Sequence, residues 1–85
     1  MKARIAVRLK PAILDPQGKT VQRALQQLGY GEVASVRIGK LIELEIKSDD
    51  PEGIRPRIEE LSRKLLANPL METFDIELED EEHNG

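Results

Sequence analysis

The chain has 85 residues, with 13 Lys plus Arg against 16 Asp plus Glu, a formal charge of -3 and no cysteine. That is enough for one small domain with a thin core, and it excludes a disulfide framework, a thiol nucleophile and a thiolate metal site. An acidic balance with Tyr30 and Phe74 as the only aromatic residues also argues against a base-stacking RNA reader.

The first element is "ARIAVRLK". Ala3, Ile5, Val7 and Leu9 alternate with Arg4, Arg8 and Lys10, which predicts a half-buried strand. Lys2 and the same charges interrupt every apolar run, so this opening does not read as a signal peptide, and no segment approaches a membrane span. A soluble, cytoplasmic protein is expected.

The next stretch, "LKPAILDPQGKT", ends in Gly18-Lys19-Thr20, the closing triplet of a phosphate-binding P-loop. Such a loop needs a further glycine five residues before Gly18, so that successive backbone N–H groups can wrap a phosphate. That position holds Ile13, and Pro16 between them has no N–H. The better reading is a helix start, with Asp15 as N-cap and Pro16 in the first helical position. Val21, Ala24, Leu25 and Leu28 then form an i, i+3, i+4, i+7 stripe that stops at Gly29. Gly18, third in that helix, costs about 1 kcal/mol relative to alanine. Either something approaches its backbone closely, or the helix begins nearer Thr20.

"VASVRIGKLIELEIK" predicts two strands joined by a loop from Gly39 to Leu41, with Val36 and Ile38 on one and Ile42, Leu44 and Ile46 on the other. A second helix follows, capped by Asp49 or Asp50, with Pro51 just inside and Ile54, Ile58, Leu61 and Leu65 on its apolar face. Pro56 makes its first turn irregular or moves its start to about Gly53. Asn68-Pro69 ends it. "LMETFDIELED" returns to alternation, with Phe74, Ile76 and Leu78 facing inward and Asp75, Glu77 and Glu79 outward. Residues 1–79 form the domain; residues 80–85 are an acidic tail with nothing to bury, expected to be disordered.

The order β-α-β-β-α-β predicts an α+β, ferredoxin-like fold: a four-stranded antiparallel sheet in order 4-1-3-2 with both helices on one face. The charges select that order independently. It puts the basic outer face of strand 1 between acidic strands 3 and 4, where opposite charges favour pairing by a few tenths of a kcal/mol each. The expected core is Ile5, Val7, Leu9, Leu25, Leu28, Ile42, Leu44, Ile46, Ile58, Leu61, Leu65, Phe74 and Ile76. A small domain with one uncovered sheet face is also expected to self-associate, as a dimer or tetramer.

The inventory for chemistry is short. His83, the only histidine, lies in the tail. Ser35, Ser48 and Ser62 therefore have no histidine partner in the ordered part, which defeats triad logic. The strand carboxylates serve as counter-charges to strand 1, and Asp49 and Asp50 serve as caps. No catalytic, metal or cofactor-binding residue is expected.

At the positions that folding explains least, the sequence resembles the PurS family, the small subunits of phosphoribosylformylglycinamidine synthase. The resemblance runs from about residue 3 to 79. It is carried by Leu14-Asp15-Pro16-Gln17-Gly18, by Val36-Arg37 with Gly39-Lys40, and by Leu65-Leu66-Ala67-Asn68-Pro69 followed by Glu72. It implies a role in purine biosynthesis as a non-catalytic subunit of an ATP- and glutamine-dependent ligase. It further implies a large synthetase subunit (PurL) that uses ATP with Mg, and a glutaminase subunit (PurQ), with the small subunit bridging them as a dimer. The chain departs from the family pattern at Ile13, Leu70 and Met71, at Pro56, and at Ser62, where cysteine is expected. The candidate partner contacts are Asp15, Pro16, Gln17, Gly18, Arg37, Gly39, Lys40, Asn68 and Pro69. The rival reading is a regulatory dimer that binds a small molecule, for which a glycine-rich ligand loop is missing.

Overall fold

The structure, a computed structural model, describes residues 1–79; the tail expected at 80–85 lies outside the described residues. Strand β1 (Lys2–Leu9) is followed by helix α1 (Pro16–Gln27), strand β2 (Gly39–Glu45), helix α2 (Pro51–Leu61), a π-helical turn (Ser62–Leu66) and strand β3 (Glu72–Glu79). The sheet is antiparallel, with β1 in the centre and order β2-β1-β3. Lys2 pairs with Glu45 on one side and Glu79 on the other, and Ile5 pairs with Ile42 and Ile76. The charge pattern therefore placed the basic strand correctly. On the outer face, Arg4 contacts Glu43 at 3.3 Å, Glu77 at 3.5 Å and also Glu79, while Arg8 reaches Asp75 at 2.5 Å.

Among the described residues the sheet has three strands, not four. The strand expected at Val36 and Ile38 does not form, and the Gly39–Leu41 hairpin loop is instead the start of β2. The cause is local. The Ile38 N–H donates to the Asp15 carboxylate at 2.7 Å, and the Arg37 guanidinium donates to main-chain carbonyls of the 9–13 segment. A backbone donor already held by a carboxylate is lost to a strand ladder.

On the inner face Ala3, Ile5 and Val7 are fully buried against Ile58 of α2, with Ile42, Leu44, Ile46, Leu61, Phe74 and Ile76 packed around them. α2 runs through Pro56 from Pro51, so the proline neither delays its start nor breaks it. At its end the helix widens: Ala67 N–H donates to Ser62 O at 2.9 Å, an i→i+5 bond. One extra residue in that turn changes which side chains face inward. Ser62 is buried and satisfies its hydroxyl by donating to Ile58 O at 2.7 Å. Leu65, expected in the core, is 81% exposed, and Leu66 packs on the core in its place.

α1 is the second departure. Asp15 caps it and Pro16 opens it, as expected, and Gly29 closes it at φ 98°, a left-handed conformation suited to glycine. Yet no α1 residue belongs to the core or packs against it, and Leu28 is 73% exposed. Both helices therefore do not share the sheet face. Leu25 and Leu28 drop out of the expected core because, among the described residues, the stripe that carries them does not pack on the sheet. The result is a flat molecule, 47 × 34 × 14 Å. Its radius of gyration is 16.6 Å, where a compact domain of this length would have about 12 Å. No helix among the described residues is long and apolar enough to cross a membrane.

Candidate functional site

At the end of the sheet where β1 finishes, Arg8 pairs with Gly39 and Leu9 pairs with Glu72, so the starts of β2 and β3 flank the loop that leads into α1. Asp15 ties these segments together. Its two carboxylate oxygens accept one bond each, from Gly18 N–H at 3.0 Å and from Ile38 N–H at 2.7 Å. Arg37 completes the tie by donating to the carbonyls of Leu9 at 3.2 Å, Lys10 at 2.9 Å and Ile13 at 3.3 Å.

Gly18 explains itself here. A Cβ at this position would lie 2.2 Å from Val36 O, so the close approach comes from the chain's own 36–38 segment. The helix does start at Pro16, before Gly18. A second knot sits across the sheet end. Asn68 N–H donates to the Glu72 carboxylate at 2.7 Å, Leu70 N–H donates to Asn68 Oδ1 at 3.0 Å, and Lys10 N–H donates to Met71 O at 2.8 Å.

The sequence-derived contacts thus converge on one end of the molecule. Asp15, Gln17, Gly39, Lys40 and Glu72 line a shared hollow of about 230 Å³, and Asn68 joins it through Glu72. The candidates differ in accessibility. Pro16, Gln17, Arg37, Gly39, Lys40, Asn68 and Pro69 are exposed, whereas Asp15 and Gly18 are buried and serve the tie. Sequence reasoning gave no role to Leu14, Lys19 or Ser35, which line an adjoining groove of about 350 Å³ with Arg37. Leu14 carried a usable signal: it is apolar but falls outside every periodic stripe.

Two backbone N–H donors, from Ile38 first and Gly18 second, hold the Asp15 carboxyl below the usual carboxylate range against the opposing effect of its burial, with Arg37 adding to the lowering. A carboxylate engaged in this way is a fastener and not a general base. Because its folded value is depressed, its contribution is present above its ordinary value of 3.8 and is lost as pH falls through the lower, folded value. Asp15→Asn replaces one acceptor oxygen with an NH₂ group facing a backbone N–H, so the variant should be less stable at neutral pH. The gap in urea midpoint between wild type and variant should hold down to about pH 4 and shrink below it. A gap that does not change with pH would contradict the assignment.

The family profile for PurS, described as phosphoribosylformylglycinamidine (FGAM) synthase, matches residues 2–80. The chain belongs to the PurS family. It is 37% identical over 78 residues to the PurS subunit of Methanocaldococcus jannaschii, covering 92% of this chain and 94% of that one. Identity to the PurS subunit of Bacillus subtilis is 43% over 79 residues, covering 93% of each. Among solved structures, M. jannaschii PurS superposes with a TM-score of 0.83 at 37% identity, covering 93% of this chain and 95% of that chain. A chain from the PurLQS structure of Thermotoga maritima gives 0.81 at 29% identity, covering 89% and 93%. Membership of the PurS family makes the chain a subunit of FGAM synthase in purine biosynthesis, and it places the site described above in a protein whose business is a ligase.

Proposed function

We propose that the chain is the bridging, non-catalytic subunit of FGAM synthase, holding a glutaminase subunit and an ATP-dependent synthetase subunit together. The observation that carries this reading is the tied sheet end. There a carboxylate, an arginine and a glycine are spent on fixing segments beside the exposed Gln17 and Lys40, a second knot holds the turn that exposes Asn68 and Pro69, and rigidly held surface loops are where contacts belong. The likeness to a chain of the PurLQS assembly supports it. In this reading ATP and Mg belong to the large subunit and the chain needs no cofactor of its own; it works in the cytoplasm.

The same reading includes a second copy of the chain. α1 has 12 residues, short enough to be marginal in water by itself, and among the described residues its apolar stripe does not pack on the core. Covering that stripe with a second copy supplies the missing packing. It also accommodates the finer ferredoxin-like description, because one more strand at the open edge of β2 would complete four.

Size exclusion with light scattering tests the proposal. The chain alone is expected to run as an oligomer. Mixed with its organism's large and glutaminase subunits, ATP and glutamine, it is expected to elute with both and to raise glutamine-driven turnover. A monomer that joins neither subunit would refute the reading.

A further inference from the structure

We propose that the groove between the 11–15 loop, the first turns of α1 and residues 35–37 docks an acidic, extended segment of a partner protein. This rests on the bridging reading and specifies the chemistry of one contact within it. The groove holds about 350 Å³, and its walls include Ile13, Leu14, Lys19, Gln22, Ser35 and Arg37. Its apolar lip, Leu14, is 70% exposed, although it stands next to a buried carboxylate on a loop held from both sides. The Ile13 N–H donates to Lys10 O at 2.9 Å, and Arg37 holds the carbonyls on either side of Pro11 and Ala12. A leucine displayed on so rigid a loop contributes nothing to its own fold and fits a contact.

The electrostatics set the sign of the partner. Lys19 and Arg37 take part in no ion pair among the described residues, because Arg37 spends its bonds on neutral carbonyls. The one carboxylate in the groove, Asp15, is buried and committed to two backbone donors. With Lys19 and Arg37 against that one carboxylate, the groove keeps a positive balance on a chain whose formal charge is -3, and complementary charge favours carboxylates. A phosphate fits less well. The neighbouring N–H groups of Gly18, Lys19 and Ile38 all point to Asp15, and Pro11 and Pro16 have none, so these five positions offer a phosphate no free donor. No aromatic side chain lines the groove for a base to stack on. Long cationic side chains beside an apolar lip suit a peptide that alternates carboxylates with apolar residues.

The test uses Lys19→Glu and Leu14→Ser in the full chain, each checked for wild-type circular dichroism and self-association. A glutamate in the first turns of a helix suits the helix dipole, so Lys19→Glu should stay folded. Each variant is titrated against the purified large and glutaminase subunits in turn, at low and high salt. Lys19→Glu is expected to weaken binding to one of the two by about tenfold and to flatten its salt dependence. Leu14→Ser is expected to weaken binding to the same subunit at both salts, and the other subunit should bind both variants as it binds wild type. If wild type joins the complex and both variants bind like wild type, the groove assignment fails while bridging stands. If wild type binds neither subunit, both fall. Saturable binding of inorganic phosphate or of a single-stranded RNA oligonucleotide that Lys19→Glu abolishes would overturn the assignment in favour of that ligand.

Discussion

Replacing Gly18 with valine should destabilise the chain and remove it from the synthase assembly together. The new Cβ would lie 2.2 Å from Val36 O and 2.7 Å from Asp15 Oδ2. A backbone oxygen has no rotamer through which to escape. Relief requires the 36–38 segment to swing away, which withdraws the Ile38 N–H from Asp15 and the Arg37 guanidinium from its carbonyls. Overpacking of this kind costs about 1–3 kcal/mol. Gly18→Ala sharpens the test, since in an unobstructed helix alanine would gain about 1 kcal/mol over glycine. Urea midpoints below wild type for both variants, with loss of co-elution with the partner subunits, are the expected result. A Gly18→Ala chain more stable than wild type would show that the tie is not made in solution. Arg37 is subject to the same logic: reversing its charge should loosen the 9–13 loop in the isolated chain, and not only weaken a surface contact.

The second large effect separates two residues that share one apolar phase in the sequence. Ile58 is 2% exposed, whereas Leu65 is 81% exposed. Ile58→Ala should cost about 2–5 kcal/mol, the range for emptying a packed aliphatic site. Leu65→Ser should change the stability of the chain by no more than about 0.5 kcal/mol. Denaturant unfolding of the two variants decides the matter. Equal losses would mean that the π turn does not persist in solution and that Leu65 lies inward.

What could be read from the sequence follows from which forces leave a periodic trace. The alternation of Ala3, Ile5 and Val7, the Asp15-Pro16 start and Gly29 stop of α1, and the acidic partners of Arg4 and Arg8 are all set by side-chain spacing, and each appears in the structure. Val36 and Ile38 have the spacing of a strand as well, but a carboxylate 23 residues away takes the Ile38 N–H. A single hydrogen bond of that kind has no period. The π turn escaped for a related reason, because one additional residue per turn moves Leu65 outward and Leu66 inward without altering composition. α1 was legible as a helix but not in its placement, since an apolar stripe records that a helix has a face to cover and not which surface covers it. The candidate contacts were located through family motifs, and the structure separates them into Asp15, Gly18 and Arg37, which fasten, and the rest, which are exposed.

The central position of β1 has a consequence for how the protein is made. Residues 2–9 are synthesised well before one of their two neighbours in the sheet, Glu72–Glu79. Pairing across that sequence distance must wait until the later strand has been made. Until then the most apolar strand in the chain has an open edge, the condition under which nascent chains mispair. The tie among Asp15, Arg37 and Ile38 closes across far shorter separations. This end of the molecule can therefore be fastened while one of the three strands is still missing.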